Sequence, residues 1–213
     1  MKIKINELFY SVQGESSYSG IPTVFVRTTG CNLRCTYCDT TYSYFEGSDF
    51  TIEVLLEKIK SFPTKFVCLT GGEPLLQSAS NELMRSLCDL GYNVSLETSG
   101  SKSCVSVDPR VKIVLDVKTP DSGAANSFHL DNFQVLTPHN ELKFVLCSES
   151  DLDWAEKFCQ DHGLFSKLPV FYSPSFEKVD PKWLAEKILA MGSSARLQLQ
   201  LHKYIWSPEK RGV

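Results

Sequence analysis

Three cysteines lie within eight residues of one another. Cys31, Cys35 and Cys38 have a C-x3-C-x2-C spacing in the segment GCNLRCTYCDT, directly after the apolar run TVFVRT. Three thiolates at this spacing can surround one small metal centre. A structural zinc ion normally takes four protein ligands, and the four histidines are all distant in sequence. We therefore expect a four-iron cluster with one iron free to bind a small molecule; the alternative is zinc with a remote fourth ligand.

The other five of the eight cysteines are scattered singly. Cys68 and Cys147 lie in strand-like apolar runs, whereas Cys88 and Cys159 lie on the apolar faces of helix-like segments. We interpret these four as small core residues. The sequence does not place Cys104. Because no secretory signal is evident, this cysteine content indicates metal binding or catalysis, and not disulfides.

A second loop that could take part in ligand binding follows the apolar run KFVCLT. It begins with Gly71 and Gly72 and continues with Glu73 and Pro74. Two glycines after a strand permit close approach of the backbone to a ligand. Both this loop and the cysteine loop follow strands, and α/β folds build their sites at the carboxyl ends of strands.

Strand-like and helix-like patterns alternate along the chain. The strand-like runs are rich in Val, Ile, Phe and Leu, as in strands buried on both faces. They cover residues 4–11, 23–28, 65–70, 93–98, 111–118, 142–147, 169–173 and 196–201, and helical patterns cover 51–62, 81–90, 150–162 and 180–191. This alternation predicts a single α/β domain over residues 1–213.

Helical patterns are sparse between residues 99 and 141. We therefore expect the barrel or sheet of mostly parallel strands to be incomplete there. Residues 119–140 are too many for a plain connection and are a candidate active-site loop.

Charge and hydropathy exclude several classes of partner. The chain has 22 Lys and Arg against 25 Asp and Glu, so its net charge of −3 lacks the basic surplus of nucleic-acid-binding domains. No apolar run approaches the roughly 18 residues of a membrane span. The first ten residues alternate polar and apolar types, which is not typical of a signal peptide. We expect a cytoplasmic protein without nucleic-acid or membrane partners.

The cysteine loop resembles the hallmark of the radical S-adenosylmethionine superfamily, C-x3-C-x-aromatic-C, with Tyr37 as the aromatic residue. Gly-Gly-Glu-Pro at residues 71–74 resembles the superfamily's loop for the methionine amino group. The resemblance implies a [4Fe–4S] cluster whose open iron binds S-adenosylmethionine, and cleavage to a 5′-deoxyadenosyl radical. The cofactors supply this chemistry and the protein supplies orientation.

A narrower resemblance covers most of the chain. The segment FYSVQGESSYSGIPTVFVRTTGCNLRCTYCDT, with TGGEP, LETSG, DVKTP and the closing LHKYIW…RGV, resembles the 7-carboxy-7-deazaguanine synthases of the queuosine pathway. It implies a lyase that uses S-adenosylmethionine and Mg²⁺ to contract 6-carboxy-5,6,7,8-tetrahydropterin to 7-carboxy-7-deazaguanine, with release of ammonia. It also implies a partial (incomplete) TIM-like barrel of mostly parallel strands with few helices, a homodimer, and an electron donor such as flavodoxin or ferredoxin.

The same resemblance assigns site residues and no acid or base catalyst. It gives Cys31, Cys35 and Cys38 to the cluster; Tyr37, Cys38, Asp39, Gly72, Asp116, Val117, Lys118, Ser173, Pro174 and Ser175 to S-adenosylmethionine; Val12, Gln13, Gly14, Glu15, Arg27, Thr70, His202 and Val213 to the substrate; and Thr40 to Mg²⁺.

The chemistry of two residues suits a pterin. Glu15 can accept the ring N–H and the 2-amino group together, and Arg27 offers a fork for the carboxylate. The alternative roles are a solvated hairpin acid for Glu15 and a salt bridge on the sheet for Arg27. Rival functions are an activating enzyme that places a glycyl radical on a partner protein and a non-catalytic metal-binding module.

Overall fold

One nine-stranded sheet organises residues 1–213, all of which the computed structural model describes. The strands are β1 Lys2–Val12, β2 Pro22–Thr28, β3 Ser48–Thr51, β4 Phe66–Gly71, β5 Asn93–Thr98, β6 Lys112–Asp116, β7 Glu141–Leu146, β8 Val170–Pro174 and β9 Arg196–Leu197. The helices are α1 Ile52–Lys60, α2 Ala79–Asp89, α3 Glu149–Asp161, α4 Pro181–Met191 and α5 Leu201–Ile205. None of these helices has the length and apolar character needed to cross a membrane.

The sheet is open. Its order is β3-β1-β2-β4-β5-β6-β7-β8-β9, in which β1 is antiparallel to β2 and β3. Every neighbouring pair from β2 to β9 is parallel. Because β3 and β9 do not pair, the predicted incomplete barrel with few helices is confirmed.

Alternation of side chains gives the sheet an apolar outer face and a polar inner face. On β7, Leu142, Phe144 and Leu146 belong to the hydrophobic core. Glu141 and Lys143 lie between them on the opposite face, and both are buried. The inner face therefore holds charged groups that must be paired, because burial of an isolated charge is costly.

The connection between β1 and β2, residues 13–21, fills part of this polar interior and is named the plug. It begins where β1 ends and β2 starts, which is the amino edge of the parallel strands. Gln13, Glu15 and Ser16 are all buried. Ser16 adopts a left-handed conformation with φ 62°, which is uncommon for a residue with a side chain. The plug thus approaches the site from the edge opposite the cysteine loop.

The sequence predicted eight of the nine strands and four of the five helices. Thr51 and Asp180 cap α1 and α4 as their positions predict. Strand β3 and helix α5 were not predicted. The strand expected at residues 196–201 is only two residues long, because the chain turns into α5 at Leu201. Cys104, which the sequence did not place, is buried in the core.

Candidate active site

A cavity of about 800 Å³ lies between the cysteine loop, the inner face of the sheet and the C-terminal segment. This volume is within the usual range for small-molecule sites. The predicted residues that line it are Val12, Gln13, Gly14, Glu15, Arg27, Cys31, Cys35, Tyr37, Cys38, Asp39, Thr40, Thr70, Gly72, Asp116, Lys118, Ser175, His202 and Val213.

The three loop cysteines are free and half-buried at this cavity. Burial raises the pKa of the Cys31 and Cys35 thiols, so a metal centre must displace their protons on binding. These three are the only cysteines that line the cavity, and three thiolates are the donor set that a [4Fe–4S] cluster with one open iron would take.

The two glycines of the second loop bring it against the cysteine loop. The Glu73 N–H donates to the Gly30 carbonyl at 2.8 Å. A Cβ atom at Gly72 would collide with that same carbonyl. Glycine is therefore required at position 72 by the neighbouring cysteine loop, and close approach of this backbone to a ligand stays a prediction.

Glu73 joins this arrangement to the loop after β5. Its buried carboxylate accepts hydrogen bonds from the Thr98 hydroxyl at 2.8 Å and from the N–H and hydroxyl of Ser99 at 2.9 and 2.6 Å. The Ser101 hydroxyl oxygen lies 2.9 Å from that of Ser99 and accepts a hydrogen bond at 3.1 Å from the Asn32 amide in the cysteine loop. One buried acid thus fixes the positions of three loops at the carboxyl edge.

Residues 119–140 do not line the cavity, so the expectation of an active-site loop is not supported. The start of the segment instead supports the cysteine loop from outside. The N–H and hydroxyl of Thr36 donate to the carbonyls of Ser122 and Asp121 at 3.0 and 2.8 Å. Phe128 and Phe133 pack against the core, which explains the length of the segment.

The plug carries Glu15 into the cavity. Its carboxylate forms a salt bridge with Lys143 and accepts a hydrogen bond from the Gln200 amide at 2.9 Å. Burial opposes ionisation of Glu15, but the Lys143 ammonium and His202 hold its pKa well below the ordinary value. Lys143 also lies 3.4 Å from Asp116, which pairs with Lys118 at 3.0 Å. The Glu15 alternative of a solvated hairpin acid is therefore wrong.

Arg27 is both paired on the sheet and open to the cavity. Its Nε donates to Glu7 at 2.9 Å, and the Tyr42 hydroxyl donates to the same Glu7 oxygen at 3.1 Å. The guanidinium carbon lies 5.6 Å from the Phe9 ring centroid. The salt bridge that the sequence offered as an alternative therefore exists, and it holds Arg27 at the cavity wall.

Thr40 lies beside Asp39, whose carboxylate is paired with a lysine. Its hydroxyl donates to Asp39 at 2.8 Å, and the Lys203 ammonium lies 2.8 Å from the other Asp39 oxygen. Although burial opposes ionisation, Lys203 and Thr40 lower the pKa of Asp39 to about 2. The assignment of Thr40 to Mg²⁺ stays a prediction.

His202 lies at the start of the short helix α5 against the plug. Burial lowers the pKa of its imidazole. A Cβ atom at Gly14 would collide with the His202 ring, and the Leu201 N–H donates to the Gly14 carbonyl at 3.1 Å. Glycine is therefore required at position 14, because a side chain there would prevent α5 from packing against the plug.

Sequence reasoning missed several cavity residues, among them four with polar side chains that bond to predicted site residues: Glu97, Lys143, Gln200 and Lys203. Glu97 accepts hydrogen bonds from Gln13 and Thr70, both at 3.2 Å, and burial raises its pKa. Glu97 and Lys143 are charged residues inside largely buried strands. That was an available signal, because buried charges need partners or functions. Gln200 and Lys203 gave no comparable signal.

Two of the segments predicted to contact S-adenosylmethionine each carry a buried polar atom without a hydrogen-bond partner, Asp116 Oδ1 and Ser173 Oγ. The assignment of these segments to the cofactor stays a prediction. Val117 packs in the core, and neither it nor Ser173 or Pro174 lines the cavity. Of Val117, only the backbone is therefore available to a ligand on the inner face.

Comparisons with known proteins agree with this geometry. Residues 25–114 match the Radical SAM superfamily model. The chain is 42% identical over 214 residues to the 7-carboxy-7-deazaguanine synthase of Chlorobaculum tepidum, covering 99% of this chain and 97% of that protein. The synthase of Koribacter versatilis is also 42% identical, with 99% and 100% coverage.

The fold has a solved counterpart. The crystal structure of QueE from Escherichia coli superposes with a TM-score of 0.79 at 22% identity, over 93% of this chain and 94% of that one. Membership of the superfamily implies an enzyme with a [4Fe–4S] cluster and S-adenosylmethionine. With full-length relatives at 42% identity, the chain belongs to the 7-carboxy-7-deazaguanine synthase family of radical S-adenosylmethionine enzymes.

Proposed function

We propose that this chain contracts 6-carboxy-5,6,7,8-tetrahydropterin to 7-carboxy-7-deazaguanine with release of ammonia, as a lyase in queuosine biosynthesis. The observation that carries the proposal is one cavity that joins the cysteine loop to Glu15 and Arg27. Relatives named 7-carboxy-7-deazaguanine synthase support the same reaction. The comparisons do not favour an activating enzyme for glycyl radicals.

The substrate is bound through its two polar ends. A carboxylate has about four lone-pair positions, and Lys143 and Gln200 use one on each oxygen of Glu15. The others accept the ring N–H and the 2-amino group. Arg27 binds the carboxylate at the other end, with Val12, Gln13, Gly14, Thr70, His202 and Val213 completing the pocket.

The cofactor residues act by holding and orienting. Cys31, Cys35 and Cys38 bind the cluster, and Tyr37, Cys38, Asp39, Gly72, Ser175 and the 116–118 and 173–174 segments contact S-adenosylmethionine. When bound, these groups supply a carbon-centred radical that abstracts a substrate hydrogen atom. The protein's contribution is to hold one C–H of the pterin in line and to exclude water.

Mg²⁺ is proposed to bind through Thr40 and the substrate. Mg²⁺ retains waters and takes few protein ligands when substrate oxygens complete its shell. Asp39 is already paired with Lys203, so the free protein offers the ion little negative charge. The ion is therefore expected to bind with the pterin and not before it. We further propose a homodimeric, cytoplasmic enzyme that receives electrons from flavodoxin or ferredoxin.

The test is anaerobic incubation of the reconstituted protein with carboxytetrahydropterin, S-adenosylmethionine and a reductant. The expected result is 7-carboxy-7-deazaguanine, identified by mass, together with ammonia. Cleavage of S-adenosylmethionine without conversion of the pterin would refute this substrate while leaving the superfamily assignment intact. Absence of iron and sulfide after reconstitution would instead support a non-catalytic module.

A further inference from the structure

A buried ion pair at the base of the barrel is not used by the proposed chemistry. Glu141, the first residue of β7, is fully buried and lies 2.8 Å from the Lys112 ammonium at the start of β6. Lys112 also donates to the His139 carbonyl at 3.0 Å. Neither charged residue lines the cavity.

The acid of this pair holds the plug. The Ser17 N–H donates to both Glu141 oxygens, at 3.3 and 3.1 Å, and the Ser17 hydroxyl donates to one of them. The Lys112 ammonium lies 5.3 Å from the ring centroid of Tyr18, the next residue of the plug. Glu141 thus binds the plug through three hydrogen bonds on one residue.

The contacts of the plug with β7 form two matched rungs. The lower rung is the hydrogen bond between Ser17 of the plug and Glu141 of β7. The upper rung is the salt bridge between Glu15 and Lys143, each two residues away on its own segment. Because alternate strand residues share a face, one strand fixes the plug at both its lower and its upper rung. Between the rungs lies Ser16 with φ 62°, a conformation that persists only where its surroundings enforce it.

We infer that Glu141 is a positioning residue: by binding Ser17 it sets the height and orientation at which Glu15 meets the substrate. The identity of that substrate rests on the proposed function, whereas the contact between Glu141 and the plug is independent of it. Without the lower rung, the strained turn at Ser16 relaxes and Glu15 is held by its upper contacts alone. Glu15 then stays paired with Lys143, but its position relative to the cavity is no longer fixed.

The test replaces the pair as a unit, Lys112→Leu with Glu141→Leu. Exchange of a buried ion pair for apolar residues is often close to neutral for stability, so the variant removes the lower rung without leaving a buried charge. In the anaerobically reconstituted protein we expect amide hydrogen exchange over residues 13–21 to accelerate at least tenfold. We expect the KM for the carboxytetrahydropterin to rise at least tenfold, with unchanged iron content and unchanged S-adenosylmethionine cleavage without pterin.

A matched control uses a buried acid that is remote from the plug. Glu156 accepts hydrogen bonds from Tyr172 at 2.9 Å and Ser193 at 2.7 Å on the outer side of the sheet. Glu156→Gln is expected to lower the unfolding temperature but to leave exchange of residues 13–21 and the KM at wild-type values. A rise in KM of the same size in this control would mean that general destabilisation explains the effect.

Ser17→Ala keeps the inference testable if the double variant does not fold. It removes the hydroxyl bond and keeps the N–H bond, so a smaller rise in KM, about threefold to tenfold, and faster exchange of the plug are expected. Wild-type exchange and KM in Ser17→Ala or in a folded double variant would overturn the inference. Failure of wild-type protein to convert the pterin would refute only the proposed function, because the exchange measurement still reports whether Glu141 holds the plug.

Discussion

The two ends of the cavity are built in different ways. At the carboxyl edge, three cysteines from one eight-residue segment lie in a loop that bonds to the Glu73 N–H and to the carbonyls of Asp121 and Ser122. At the inner face, Glu15 meets Lys143 and Gln200 from distant parts of the chain. The cofactor end thus depends on local spacing, and the substrate end depends on how the sheet assembles. Substitutions at the cofactor end should therefore remove the cluster, whereas substitutions at the substrate end should lower turnover without loss of iron.

The largest effect is expected at the cysteine loop. Replacement of Cys31, Cys35 and Cys38 by Ala should abolish both iron binding and cleavage of S-adenosylmethionine, because no other cysteine lines the cavity. Cys88→Ala is the control, since Cys88 is partly buried and packs against the core. Iron analysis after anaerobic reconstitution checks both. Loss of iron in Cys88→Ala would contradict this division of the cysteines.

A smaller but still large effect is expected at the inner face. Removal of one member of a buried charge pair costs on the order of 2–5 kcal/mol. Glu15→Gln and Arg27→Ala should each lower turnover at least tens of times while iron content stays normal. The comparison of kcat/KM with iron content separates this outcome from cluster loss. Wild-type kinetics in either variant would exclude the pterin contacts proposed for these two residues.

The Glu15 pair also predicts how stability depends on pH. Glu15 has an ordinary pKa of 4.5, and the folded protein holds that pKa lower. As the pH falls below about 5, the unfolded chain therefore binds a proton that the folded chain does not, and the free energy of unfolding decreases. We expect wild type to lose on the order of 1–3 kcal/mol more than Glu15→Gln between pH 7 and pH 3.5.

Urea unfolding of both proteins at the two pH values measures this difference. The pKa values of Lys143, His202 and Glu97 depend in part on the charge of Glu15, so the difference between the two proteins reports Glu15 together with these three neighbours. Equal losses of unfolding free energy in the two proteins would show that Glu15 is not stabilised as a carboxylate.

The smallest effect is expected at Thr40. Thr40→Ala should reduce stimulation of product formation by Mg²⁺ several-fold without change in iron content, and Thr40→Ser should restore much of it. If the ion bridges Thr40 and the substrate, Mg²⁺ tightens pterin binding and the pterin tightens Mg²⁺ binding by the same factor. A pterin titration with and without Mg²⁺ checks this. Equal pterin affinities in wild type would mean that Thr40 is an ordinary loop hydroxyl.

The sequence by itself determined the parts of this protein whose signals are local. The cysteine spacing, the glycine pair after β4 and the alternation of strands with helices predicted the cluster loop, its neighbour and the incomplete barrel. The helix caps at Thr51 and Asp180 were also local signals. Such features are predictable because hydrogen bonds and side-chain periodicity within a few residues determine them.

Only the tertiary structure decided which distant charges meet. Glu15, Lys143 and Gln200 come from the plug, a central strand and the segment before α5. The pairing of Ser17 with Glu141 likewise depends on the plug entering from the amino edge. The physical reason is that a polar group on a strand buried on both faces must find a partner, but its sequence does not specify which one. That choice follows from strand order and from the depth to which residues 13–21 enter the barrel.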